Sequence, residues 1–129
     1  MLFRSREESN PGLRVESIGM LQNSSDSQAV RSALLDAVTR DPNAGVRLKA
    51  LEGLKIFVAE EPVRRALAAT LLHDEDPRVR MQAIDLLTAH RDNALVGVLQ
   101  NAVQKEDNDY IRSRCRRLLT EMKASLGTY

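Results

Sequence analysis

Few residues in this 129-residue chain have the types and spacing for chemistry. His73 and His90 are the two histidines, Cys115 is the single cysteine, and there is no tryptophan. His73 runs directly into Asp74, Glu75 and Asp76, an imidazole beside carboxylates of the kind that ligates divalent cations. The same four residues also read as the end of one helix and the start of another. On that reading His73 complements the carbonyl end of its helix, and Asp76 accepts from the free N–H groups of the next first turn. The structural reading is the simpler one, and no metal ligand is assigned. Cys115 stands between Arg114 and Arg116, whose charge would favour a thiolate if the site were open. Arg112, Arg114, Arg116 and Arg117 form the densest basic run, and with Lys49, Lys55, Arg78 and Arg80 they define a candidate phosphate-tracking stripe. Glu52, Asp85 and Glu121 interrupt that stripe, and an aromatic content of 3% leaves no platforms on which bases could stack. Nucleic acid is therefore the disfavoured partner. There is no nucleophile paired with a base, no phosphate-binding glycine loop and no ligand cluster, so the sequence points to a non-enzyme without a cofactor.

The elements that must position these residues are written as a repeat. Asp76-Pro77-Arg78-Val79-Arg80-Met81-Gln82-Ala83-Ile84-Asp85-Leu86-Leu87 places Asp76 as a helix cap and Pro77 at the first helical position, where a missing donor does no harm. Related text runs from Asp41 to Leu54 and from Asn108 to Leu119. Val46, Val79 and Ile111 stand 33 and 32 positions apart, and Arg47/Arg80/Arg112, Ala50/Ala83/Cys115 and Leu54/Leu87/Leu119 keep the same offsets. Cys115 thus fills an alanine slot at the centre of a buried face, which makes it an inert core residue. The third copy writes Asn108-Asp109 for Asp-Pro, so its helix start is expected to be less firmly fixed. Between these helices, Val30/Val63/Leu95, Leu34/Leu67/Leu99 and Val38/Leu71/Val103 align at the same offsets on a second set, the first of which opens on the capping-box text Ser25-Asp26-Ser27-Gln28. Each unit is a helix A, a short polar turn and an antiparallel helix B whose flank only a neighbouring unit can cover.

Four boundaries follow: a partial repeat over 10–23 and full repeats over 26–59, 61–90 and 92–125, together a single domain over 1–129. Leu13, Arg14, Ser17 and Leu21 match Val46, Arg47, Ala50 and Leu54, so the chain opens inside a repeat. Residues 1–8 are too short and too charged for the expected first helix A, and the expectation is a fragment or truncated relative of a longer solenoid. Gly127 is placed to cap the last helix. The fold class is all-α, a right-handed α-α superhelix of about three and a half two-helix repeats, with helices A outside and helices B on the inner curve.

The pattern Asp-Pro-x-Val-Arg-x-x-Ala-x-x-Leu on the second helix of a two-helix unit resembles the HEAT repeat in its short bacterial form. The likeness spans Pro11 to Met122. Ankyrin and tetratricopeptide repeats have similar periods, but their turn and tryptophan signatures are missing. The segments from Val46 to Leu51 and from Asp107 to Arg112 also resemble, more loosely, the C-terminal HEAT segment of bacterial proteins with an anti-sigma-type zinc finger; the finger itself does not occur in this chain. What the HEAT resemblance implies is a non-catalytic scaffold for protein partners. Some HEAT enzymes bind iron through His-Glu pairs, and this sequence has none. HEAT-like DNA glycosylases use a basic concave face, the rival class weighed above. The resemblance further implies that Arg14, Arg47, Arg80 and Arg112 form a structural ladder with acidic groups of neighbouring units, for which Asp41, Asp74, Asp76 and Glu106 are the partners at hand.

Two surfaces are candidates for binding a protein or peptide. A helical wheel centred on Ala50 gives each helix B an outward stripe: Leu48, Lys49, Glu52, Lys55 and Ile56, then Met81, Gln82 and Asp85, then Arg114 and Arg117. Val15, Leu48 and Met81 follow the repeated arginine at one register and have two readings: side chains that lean over the neighbouring helix B and are simply covered, or a shallow apolar ridge on the concave surface bordered by Lys49, Glu52, Gln82 and Asp85. The second surface is the uncovered N-terminal edge around Leu13, Ile18 and Leu21, through which a homo-oligomer or a preceding domain could pair. With 19 basic and 18 acidic residues the net charge is +1, which gives no global field toward polyanions or anionic membranes. No apolar run approaches the ~20 residues of a membrane helix and no signal peptide is evident. A cytoplasmic location is expected, and a single cysteine agrees with a reducing compartment.

Overall fold

The structure, a computed structural model, describes residues 9–21 and 26–125. Among them are seven α-helices, α1 (Pro11–Leu21), α2 (Ser27–Arg40), α3 (Ala44–Leu54), α4 (Glu61–His73), α5 (Pro77–Thr88), α6 (Asn93–Lys105) and α7 (Asp109–Ser125), with one 3₁₀ turn at Lys55–Phe57 and no strand. The helices α2, α4 and α6 are the expected A-type, and α1, α3, α5 and α7 the B-type. Five expectations lie outside the described residues: the segment 1–8, the Leu21 side chain at the N-terminal edge, residues 22–23 of the partial repeat, the Ser25 side of the capping box and the Gly127 cap.

Local chemistry fixes the starts. Asn10, Asn43, Asp76 and Asn108 precede the four B-type helices, and each side chain accepts from a first-turn N–H: Gly12 at 2.8 Å, Val46 at 3.1 Å, Arg78 at 2.8 Å and Ile111 at 3.0 Å. Asp26 and Asp92 cap α2 and α6 in the same way, through Ala29 at 3.0 Å and Leu95 at 3.1 Å. Asn108 therefore holds the third copy as firmly as Asp76 holds the second, because an amide oxygen caps about as well as a carboxylate. The dipeptide Asp41-Pro42 resembles Asp76-Pro77, yet the 33-residue register aligns Asn43 with Asp76, and Asn43 is the cap.

Two compact units are present, Met1–Ala66 and Leu67–Tyr129, with the division inside α4. In the first, α1 and α2 both pack on α3. Ile18, Leu34, Val46, Ala50, Leu51 and Leu54 are fully buried there. In the second, α5 and α6 pack on α7, over Leu71, Val79, Ala83, Ile84, Leu99, Ile111, Cys115 and Leu118. Each large aliphatic side chain so buried contributes about 1.5–3 kcal/mol of transfer free energy. Apolar positions at 3-and-4 spacing supply both cores, and the exposed flanks of the same helices are largely polar, Leu13 and Met20 on α1 and Tyr110 on α7 excepted.

The end of α3 departs from the helical wheel. The helix stops at Leu54 and the chain tightens into the 3₁₀ turn, where Phe57 is buried and Glu60 N–H closes on Phe57 O at 2.9 Å. Arg64 braces this turn, its Nη1 donating to the carbonyls of Val58 at 3.1 Å and Ala59 at 2.6 Å. Lys55 and Ile56 thus leave the α3 stripe on which the wheel had placed them. Ile56 is 81% exposed on the turn.

Candidate interaction surface

The repeated acid and the repeated arginine build one motif three times, once in the first unit and twice in the second. Asp41, Asp74 and Glu106 sit two residues before a helix cap, and each carboxylate accepts the cap residue's own N–H, from Asn43 at 2.9 Å, Asp76 at 2.9 Å and Asn108 at 3.0 Å. The B-type arginine then reaches back six residues to the carbonyl of that acid: Arg47 to Asp41 at 3.0 Å, Arg80 to Asp74 at 2.8 Å and Arg112 to Glu106 at 3.1 Å. In the first unit Arg14 forks onto Asp41 with Nε at 2.8 Å and Nη2 at 3.1 Å. The second unit repeats the fork from Arg80 to Glu106, both bonds being 2.9 Å. Planar two-bond geometry of this kind is what a guanidinium offers and an ammonium does not. Both pairs are nearly dry, with side-chain exposures of 6% and 0% for Arg14 and Asp41 and of 13% and 4% for Arg80 and Glu106. The hydrogen bond to Glu106 raises the Arg80 pKa further above its ordinary value, so the cation is fixed. These arginines hold turns in place. Asp76, named among the partners from sequence, is bonded instead by Arg78 Nη2 at 2.8 Å, besides capping α5.

A cavity of about 140 Å³ lies over the Arg80–Glu106 pair, walled by Leu71, Leu72 and Ala102 and rimmed by Asp74, Lys105 and Asp107. Besides Lys105 and Asp107 its polar groups are those of the ladder, and the arginine's Nε, Nη1 and Nη2 all donate within the unit. His73 Nδ1 lies 3.3 Å from Lys105 Nζ. Among the described residues no three His, Cys, Asp or Glu side chains gather as a metal site would require. Burial pushes the Cys115 thiol up to about 11, with Glu106 adding to the shift and Arg114 opposing it. Desolvation thus outweighs the flanking guanidinium, and the thiol is held protonated.

The outward stripes divide by unit. In the first, Val15 and Leu48 are half-buried at matching places on α1 and α3, and Lys49 leans on the exposed Glu52 with Nζ to Oε1 at 3.5 Å. In the second, Met81 and Gln82 are half-buried on α5, Asp85 is exposed with Arg114 of α7 at 3.5 Å, and Arg117 is exposed. Charges along both stripes are largely cancelled in place. Of the candidate phosphate stripe, Lys49, Arg78, Arg80, Arg112 and Arg114 are all engaged by carboxylates, those of Glu52, Asp76, Glu106, Asp109 and Asp85. Two features had no sequence signal: the ion pair of Arg31 with Glu60 at 2.5 Å, and the 70% exposure of Met20 on α1.

Helices alone, paired by short turns and repeating an Asx cap, a buried valine or isoleucine and an arginine, define an all-α helical repeat protein. The HEAT repeats family matches residues 32–120, more than half the chain, and the protein belongs to that family. No curated protein and no solved structure matches it. HEAT repeats generally serve as protein-interaction scaffolds, and folds of this kind are typically non-catalytic. No helix among the described residues is long and apolar enough to cross a membrane.

Proposed function

We propose that this chain is a non-catalytic scaffold that holds a protein or peptide partner on the outward stripes of its B-type helices. The observation behind it is the row after the ladder arginine. Arg14, Arg47 and Arg80 are fixed by their bonds, and the next residue on each helix, Val15, Leu48 or Met81, is apolar and only half-buried. A merely solvated face would carry polar residues there. Within the first unit Lys49 and Glu52 flank Val15 and Leu48, and within the second Gln82, Asp85, Arg114 and Arg117 flank Met81, so each stripe has polar neighbours of mixed sign. Ile56 adds an exposed apolar side chain on the turn beyond α3. A partner with apolar anchors and both signs of charge fits such a face better than a polyanion does. The proposal carries no sigma-factor role, since the likeness to finger-bearing proteins rests on helix text alone.

The test compares the wild type with a Leu48→Glu, Met81→Glu double variant as baits in the source-cell lysate, after circular dichroism and thermal melts have shown both to be folded. One or more proteins retained by the wild type and lost from the variant are expected. Identical retained sets would refute the stripe as the binding face.

A further inference from the structure

We propose that the outer face of α1, formed by Leu13, Ser17 and Met20, docks an amphipathic helix of a partner protein, in the manner in which α6 lies on α7. The repeat register carries the inference. Leu13 corresponds to Val46, Val79 and Ile111; Ser17 corresponds to Ala50, Ala83 and Cys115; Met20 corresponds to Gly53, Leu86 and Leu118. The nine later residues are all buried, most of them completely. In α1 the same three positions are open, with Leu13 46% and Met20 70% exposed and Ser17 half-buried. Ile18 is fully buried, and among the described residues the neighbour on which α1 packs is α3.

What covers this face elsewhere is visible within each unit. Helix α2 packs along α3 with Val30, Leu34, Ala37 and Val38 buried, and α6 packs along α7 with Leu95, Leu99 and Ala102 buried. The occupant that fits α1 therefore has apolar residues at positions i, i+4 and i+7. Ile111, Cys115 and Leu118 under α6 repeat the large, small, large order of Leu13, Ser17 and Met20. The Ser17 hydroxyl donates to Leu13 O at 2.9 Å, so it needs nothing from the incoming helix. Glu16, exposed beside the stripe, suits a basic residue on the flank of the docking helix.

The probe is a stapled helical peptide with the sequence of residues 92–106, titrated into the ¹⁵N-labelled full chain. Amide shifts confined to α1 are expected, and Met20→Glu in the protein or Leu99→Glu in the peptide should weaken binding at least about tenfold. Leu48→Glu should leave it unchanged, which separates this face from the outward stripe. Absence of binding, shifts centred elsewhere, or indifference to Met20→Glu would overturn the proposal. So would two other results: sedimentation showing a wild-type dimer that Met20→Glu dissolves, which assigns the face to a second copy, or peptide binding that appears only after residues 1–8 are deleted, which assigns it to the chain's own N-terminus.

Discussion

Arg80 and Lys49 are both cations on B-type helices, two residues apart in the repeat, and their surroundings give them opposite weights. Arg80 holds the nearly buried Glu106 by two bonds and the Asp74 carbonyl by a third. Removing it strands a desolvated carboxylate, so Arg80→Ala should cost about 1–3 kcal/mol in urea unfolding. Lys49 makes one long contact with a 62% exposed Glu52 side chain, and Lys49→Ala should stay within about 0.5 kcal/mol. Equal effects would mean the fork is not structural. Cys115 provides a pH-dependent counterpart. Its folded pKa of about 11 lies above the ordinary 9.0, so between those values the unfolded chain has released a proton that the folded chain retains. Stability then falls as pH rises through that window and is untouched below it. Cys115→Ala fills the slot with the residue found at Ala50 and Ala83. Between pH 8 and pH 10.5 the wild type should lose about 1–2 kcal/mol more than this variant.

At the scale of the helix, α6 carries a glycine with no packing reason to be one. Gly97 is exposed in mid-helix, and a methyl there would meet nothing within 4 Å. Gly97→Ala should stabilise the protein by about 0.5–1 kcal/mol, seen as a higher urea midpoint at unchanged slope, because alanine has less backbone freedom to lose. The helices themselves were legible because two signals agree: 3-and-4 apolar spacing, and Asx caps that recur with the 33 and 32 offsets. Where the sequence misled, one of those signals stood alone. The wheel carried Ile56 past Leu54 as if α3 continued. Burial of Phe57 instead tightens the chain into a 3₁₀ turn, and Ile56 is left outward.

At the scale of the molecule, periodicity tells which positions of a repeat want covering but not which copy lacks its cover. Hence Ile18 was expected at an open edge and is buried, while Met20 carries most of the exposure. The same register exposes a converse on α7. Ile18, Leu51 and Ile84 are fully buried at one position, and in the last copy that position is the exposed Arg116. In the second unit Ile84 belongs to α5, which packs on α7, so the slot is the one through which one B-type helix meets the next. A guanidinium there makes the outer flank of α7 poor at recruiting another helix. Arg116→Ile should reverse this at little cost to folding, since no ion pair of Arg116 is present among the described residues and its side chain already lies in water. Thermal unfolding of the dilute variant should match the wild type within about 0.5 kcal/mol. Sedimentation velocity should show the variant self-associating at concentrations where the wild type does not, through the apolar patch so created. A variant that sediments like the wild type at every concentration would show that Arg116 is one exposed arginine among several and guards nothing.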